Sequence, residues 1–301
     1  MGSSRRELLK GAAMGAAAAA MMGMQGAVGA QAAPDAGGAG GSGALRQVPL
    51  RIGMCDWNLG KTGQVSAVEL AYRCGLDGVE ASVNFPDGGG GLRSPEELRG
   101  YRQACHRYGI EVPSVAMGIL NSVPLKSEPK TALWVADAIA VGEKLGATCM
   151  LLAFFGPGEL DMGDATSIGR VVDVLKELAP RAAAAGVSLG LENYLSAEDN
   201  LTLLDRVGSP AVQVYYDVRN SADKGRDPAK ELRALKGRVC QVHLKNGDRL
   251  LSEKGEVDFA ACAQALKETD YDGWLVLETA SPSGSIVEDT KRNIAYIRSV
   301  F

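Results

Sequence analysis

From Leu50 onward the chain alternates short β-branched runs with longer amphipathic segments, and it does so eight times. Such an alternation forces parallel pairing, because a strand returns to its sheet in the same direction only through a crossover, and each crossover here has helical periodicity. Strands are expected at Arg51 to Met54, Gly78 to Ala81, Glu111 to Met117, Thr148 to Ala153, Ser188 to Leu191, Val212 to Tyr216, Val239 to Leu244 and Trp274 to Leu277. The helical stretches are Val65 to Cys74, Pro95 to Tyr108, Lys130 to Leu145, Ala165 to Ala185, Ala197 to Val207, Pro228 to Leu235, Phe259 to Glu268 and Ser285 to Ser299. Ser94 before Pro95, and Asp258 before an Ala/Leu face, are start signals. Gly109, Gly146 and Gly186 are stops, each followed within a few residues by a strand. Eight such units predict a (β/α)8 TIM barrel over residues 48–301. A doubly wound sheet is the alternative, but it needs no eighth strand.

The barrel is preceded by two segments of different character. Ser4-Arg5-Arg6-Glu7-Leu8-Leu9-Lys10 leads into an uncharged, Ala-, Gly- and Met-rich stretch from Gly11 to Pro34. This resembles a twin-arginine export signal, with Ala30-Gln31-Ala32 as the small-x-small site for cleavage after residue 32. An uncleaved anchor is the competing reading, disfavoured because Ala and Gly gain little on leaving water. Residues 33–47 follow as a flexible Gly-rich linker. The mature protein is therefore expected in the periplasm or outside the cell, with no stable membrane insertion. Net charge is −4, and losing the leader makes it more negative, the reverse of a nucleic-acid enzyme. The six cysteines form no CxxC pair and suit small core positions better than a disulfide framework.

In a barrel, chemistry gathers at the C-terminal ends of the strands. The fifth strand ends in Glu192, the sixth in Asp217 and the eighth in Glu278, while the seventh carries His243 near its end. The intervals of 25, 26 and 35 residues each correspond to one βα unit. Any one such acid is most often a salt-bridge partner or a helix N-terminal charge. Four together are different: three carboxylates converging in a core repel one another unless a cation sits among them. One imidazole with three carboxylates is a hard donor set suited to a single divalent ion, Mn2+, Mg2+ or Co2+, with Zn2+ also compatible.

This quartet, with Gly186-Val187-Ser188-Leu189-Gly190-Leu191-Glu192-Asn193 before it and Gly255-Glu256-Val257-Asp258-Phe259 and Tyr271-Asp272-Gly273-Trp274 around it, resembles the sugar isomerase/epimerase superfamily of xylose isomerase-like barrels. The likeness is greatest to its ketose 3-epimerase and hydroxypyruvate isomerase branch. It implies that Glu192, Asp217, His243 and Glu278 hold the metal and that Glu192 and Glu278 are the acid/base pair. By offset it also implies substrate contacts at Glu198 and Arg249. Asn220 stands where that branch has a His, a departure that bears on which sugar is recognised. The chemistry implied is proton transfer at the carbon next to a carbonyl through an enediolate, with a divalent ion stabilising the oxygen charge.

Other rim positions carry weaker signals. Trp57, Glu80 and Phe154 could shape a sugar pocket or fill the barrel mouth. Lys245 shares the inward side with His243 and could meet a substrate oxygen or pair with a carboxylate. Asp87-Gly88-Gly89-Gly90-Gly91 reads as a lid or a slack loop, and His106 as a surface or satisfied residue. The expected partner is a small sugar or keto sugar, with phosphorylated substrates less expected in an exported enzyme despite Gly247, Gly255 and Gly284 in the loops; self-association into a homo-oligomer stays open. An apurinic-site endonuclease is set aside, because it needs many histidines and a basic groove and this chain has two His. Two rivals remain: an exported 3-keto-glycoside lyase or hydrolase using the same metal site, and a non-catalytic sugar-binding protein. Replacing Arg5 and Arg6 together by Lys is expected to retain the precursor inside the cell, measured by fractionation; unaltered export would refute the twin-arginine reading.

Overall fold

The computed structural model describes residues 50–83 and 91–301; the expected leader and linker, and the lid reading of Asp87 to Gly90, lie outside the described residues. Eight parallel strands close on themselves in sequence order: β1 (Ile52–Cys55), β2 (Gly78–Ser82), β3 (Ser114–Met117), β4 (Cys149–Ala153), β5 (Ser188–Glu192), β6 (Val212–Asp217), β7 (Val239–Leu244) and β8 (Leu275–Leu277). Closure is made by Ile52, Gly53 and Met54 pairing with Leu275, Val276 and Leu277. The helices are α1 (Ser66–Cys74), α2 (Pro95–Tyr108), α3 (Lys130–Leu145), α4 (Ala165–Ala184), α5 (Ala197–Val207), α6 (Val218–Asp223), α7 (Pro228–Ala234), α8 (Phe259–Glu268) and α9 (Ile286–Val300). No helix among the described residues is long and apolar enough to cross a membrane.

The third strand is shorter than its hydrophobic run. Pro113 has no N–H to give to a ladder, so the run is interrupted and Glu111 makes only an isolated bridge to Gly78. The short α6 was not expected from periodicity: it is a single capped turn and a half, begun by Asp217, whose side chain accepts from the N–H groups of Arg219 and Asn220. The expected caps are present. Ser94 accepts from Glu96 N–H before Pro95, Asp258 accepts from Ala261 N–H, and Gly109 and Gly146 end their helices at φ 66° and 75°, where a Cβ would be disfavoured.

Two cores follow from the period of two along each strand. Outward side chains such as Val79, Val115, Leu152, Leu191 and Val242 pack against one face of each helix. Helix α4 shows that face clearly, burying Ile168, Val171, Val172, Leu175, Leu178, Ala179 and Ala182, and each large aliphatic so buried stabilises the fold by roughly 1.5–3 kcal/mol. The inward core is smaller and less apolar: Ala116, Cys149, Leu151, Ala153 and Tyr215 on one side, Cys55, Trp274 and Val276 on the other. Gly190 is required here, since a Cβ would stand 2.7 Å from Cys240 Sγ and 3.0 Å from Tyr215 Cβ.

Asp56, just past β1, ties the first loop to the second strand. One carboxylate oxygen accepts from Gly63 N–H at 2.7 Å and Ser82 N–H at 2.8 Å, and the other accepts from the Ser82 hydroxyl at 2.6 Å. Burial pushes its carboxyl up to about 6 against the pull of these bonds. The Asp56→Ala variant would leave buried donors unpaired and is expected to lose about 2–5 kcal/mol of stability, with Asp56→Asn losing less. Urea unfolding with unchanged slope is the measurement; equal loss in both would point to packing rather than hydrogen bonding.

Candidate active site

The pocket opens at the C-terminal ends of the strands. Asp217 and His243 are paired neighbours across β6 and β7, and Glu192 closes β5 opposite Ala153. One donor atom from each of Glu192, Asp217, His243 and Glu278 lies within 4.8 Å of all the others, a set able to hold one divalent ion. The first three are buried and Glu278 is partly exposed. His243 Nδ1 lies 3.0 Å from Glu192 Oε1 and 3.7 Å from Glu278 Oε2. Lys245 Nζ donates to Glu278 Oε2 at 2.9 Å and stands 4.0 Å from Asp217 Oδ2. Trp57 Nε1 donates to Glu278 Oε1 at 3.4 Å.

Asp217 tests whether these residues suit a cation. Its Oδ1 accepts from Arg219 N–H at 2.6 Å and Asn220 N–H at 3.0 Å, which fixes the carboxylate against the start of α6. Its Oδ2 is buried with no hydrogen-bond partner. With only the Lys245 ammonium at 4.0 Å beside it, an oxygen without a hydrogen bond in a buried cluster of acids is costly to ionise, and a cation between the carboxylates removes that cost. The residues therefore fit a hard divalent ion.

The electrostatics follow from crowding. Burial, then Glu278 and Glu192, raise Asp217 from the ordinary carboxylate range to about 8, against Lys245 and His243. Burial also raises Glu192. Glu278 goes the other way: burial works against its charge, but His243 and Lys245 outweigh it and hold the carboxyl low. For His243, burial opposes the charge and is outweighed by Cys55, Glu192 and Glu80 around the ring, which move it well up.

Above the cluster is a cavity of about 560 Å³, lined among others by Trp57, Asn121, Phe155, Tyr194, Asn220 and Lys245. Phe155 meets Tyr194 edge to face at 4.9 Å, giving the cavity an apolar wall, and Asn121 Oδ1 accepts from Phe155 N–H. Of the residues expected here, Trp57, Asn220 and Lys245 line the cavity. Phe154 does not; it is in the outer core. Glu80 is wholly buried beneath His243. Glu198, in the first turn of α5, and Arg249 are solvent-exposed and neither lines the cavity, because the loops after β5 and β7 set their direction and an offset in sequence does not. Phe155 and Tyr194 were not anticipated, although parity would have found them: Phe155 continues the inward series Leu151, Ala153, and Tyr194 lies two past Glu192.

Residues 68–300 match the family described as the xylose isomerase-like TIM barrel. A 2-epi-5-epi-valiolone 7-phosphate 2-epimerase of Actinoplanes is 29% identical over 201 residues, covering 65% of this chain and 73% of that protein. The L-ribulose-5-phosphate 3-epimerase UlaE of Escherichia coli is 27% identical over 270 residues, covering 84% and 93%. Among solved structures, a D-psicose 3-epimerase from Clostridium cellulolyticum, determined with D-tagatose, superposes with a TM-score of 0.68 at 17% identity over 83% of this chain and 99% of that one, a likeness of fold.

The raised groups set a pH dependence for the metal-free protein. Asp217, Glu192 and His243 keep protons when folded that the unfolded chain releases at lower pH, so stability falls as pH rises, for Asp217 between about 4 and about 8. Glu278 acts in the opposite sense only below the usual carboxylate range. Denaturation in chelator from pH 5 to 8 should show this decline, and added Mg2+ or Mn2+ should flatten or reverse it, since binding displaces those protons. A stability that rises with pH in chelator would contradict the electrostatic account.

Proposed function

Because the chain belongs to the xylose isomerase-like TIM barrel family, we propose that it is a divalent-metal-dependent sugar epimerase or aldose/ketose isomerase. It is an enzyme of the isomerase class, like the epimerases to which it is similar. The observation that carries the reading is the buried Asp217 Oδ2, which makes no hydrogen bond, among Glu192, His243 and Glu278 at the floor of a sugar-sized cavity.

Glu192, Asp217, His243 and Glu278 would hold Mn2+, Mg2+ or Co2+, with Zn2+ also compatible. When bound, the ion supplies electrostatic stabilisation for the negative charge that develops on sugar oxygen. Glu192 on β5 and Glu278 after β8 supply the proton transfer, one removing the proton next to the carbonyl and the other returning one to the opposite face of the planar enediolate. Positioned acid/base groups typically contribute about 10² to 10⁴ in rate. Glu278 is the better held of the two, with Lys245 on one oxygen and Trp57 on the other. Asn220 and Lys245 would meet hydroxyls or the carbonyl, while Trp57, Phe155 and Tyr194, which line the same cavity, would cover apolar sugar faces and exclude water.

An unphosphorylated sugar is favoured. Lys245 is the one cation among the described lining residues, and it is engaged by Glu278 and Asp217, whereas a phosphate dianion calls for free Arg, Lys or N–H donors. Arg5-Arg6 and Ala30-Gln31-Ala32 support action in the periplasm or outside the cell, after cleavage near residue 32.

The test is proton NMR of keto sugars in D2O with Mg2+. Deuterium uptake at the carbon next to the carbonyl, with an epimer or isomer appearing, is expected in the wild type and lost in His243→Ala together with metal binding. Glu192→Gln and Glu278→Gln should each abolish net turnover, while one of them retains exchange of the substrate proton, since one base suffices on one face. Release of an aglycone from 3-keto-glycosides without epimer formation would reassign the chain to a lyase or hydrolase. Metal-independent sugar binding without exchange would make it a binding protein.

A further inference from the structure

We propose that Glu80 is the positioning residue for His243, accepting a hydrogen bond from Nε2–H of the imidazole so that Nδ1 is the nitrogen left free for an ion held among Glu192, Asp217 and Glu278; this rests on the metal-site reading above. Glu80 is fully buried in β2, and the imidazole stands between it and the carboxylate cluster. Its Oε1 lies 3.3 Å from His243 Nε2.

Hydrogen-bond accounting fixes which way that contact runs. Glu80 Oε2 accepts from the Tyr215 hydroxyl at 2.5 Å and from the Ser114 hydroxyl. The Gln241 amide donates to both of those hydroxyl oxygens, at 2.6 Å to Ser114 and 2.7 Å to Tyr215. A hydroxyl that receives a proton from Gln241 sends its own onward, so both protons point at Glu80. The Cys55 thiol, a weak donor, lies 3.6 Å from Oε1 and 3.3 Å from His243 Nε2, and it competes poorly with an imidazole N–H for a carboxylate oxygen. Glu80 is thus surrounded by donors and acts as an acceptor throughout, which leaves the donor role to His243 Nε2–H. The ring is also held edge-on by Tyr215 at 4.5 Å and Trp57 at 6.1 Å between centroids. An imidazole pinned in this way cannot turn or change tautomer without stranding a buried charge.

Cys55, Glu80 and His243 Nε2 are themselves compact enough to suggest a second ion. Such an ion would need Nε2 stripped of its proton, with the ring bridging two cations, and the experiment below separates the two cases.

The Glu80→Gln variant makes the test sharp. Its amide oxygen can keep the Ser114 and Tyr215 hydroxyls, which turns the NH2 group toward His243 Nε2 and reverses the bond. The proton then sits on Nδ1, where it competes with metal. Manganese affinity, from the free Mn2+ signal on titration of the full chain, should weaken 10- to 100-fold, with circular dichroism unchanged. Because the chain has two His, imidazole 15N spectra are simple to assign with His106→Gln. Zinc-loaded wild type should show a proton on Nε2 and a metal-shifted Nδ1, and metal-free Glu80→Gln a proton on Nδ1. Should that variant fail to fold, Tyr215→Phe, which keeps the ring but removes one hydroxyl orienting Glu80, should weaken Mn2+ binding several-fold. Wild-type affinity in Glu80→Gln, or two ions per chain with one lost in Cys55→Ser, would overturn the proposal. Equal Mn2+ affinity in wild type and His243→Ala would instead remove the metal site itself, and this role with it.

Discussion

Three carboxylates, those of Glu192, Asp217 and Glu278, share one small buried volume, and much of the surrounding structure is arranged to offset their repulsion. In a medium of low effective dielectric, neighbouring anions at these separations cost several kcal/mol. The chain answers with Lys245 on Glu278, with the imidazole of His243 beside Glu192, and with two backbone N–H groups on Asp217. These answers are incomplete by one oxygen, Asp217 Oδ2. Complete compensation would have made a stable ion-pair network; the missing hydrogen bond leaves a cluster able to hold a cation.

The barrel explains why the deficit falls where it does. Parallel strands ending at the same rim bring inward residues of one parity into a common space, so Glu192, Asp217, His243 and Glu278 converge without any being near another in sequence. That convergence was legible from unit spacing alone, as was the count of strands. Depth was not. Glu80 and Lys245 have the same parity logic, yet Glu80 is buried against His243 while Lys245 reaches the cavity; the stagger between strands that separates them comes from the register of pairing, which residue types do not encode locally. Glu198 and Arg249 lie outside the cavity lining for a complementary reason. Their positions depend on loop conformation, and a helix of six residues, α6, stands after β6 because an acid needed at the site also caps a turn.

Asp217 therefore serves two purposes with two oxygens, and the division limits what could replace it. An Asn would keep the acceptor toward Arg219 and Asn220 but would set a neutral oxygen or an NH2 group in the cluster. A Glu would extend past the α6 N–H groups. The short side chain with two equivalent oxygens is the one that both starts the helix and faces Glu192, His243 and Glu278.

The distribution of apolar surface completes the argument. Large aliphatic side chains fill the layer between sheet and helices, while the interior near the site is made of Ala116, Cys149, Ala153 and Gly190 with a polar floor of Glu80, Ser114, Tyr215 and Gln241. Burying such a floor is tolerable because every member is paired and because the outer layer carries the bulk of the hydrophobic stabilisation. The two tasks are thereby separated in space: the outer layer holds the barrel closed, and the inner layer is free to keep charges, a fixed imidazole and an unsatisfied oxygen that a core responsible for stability could not accommodate.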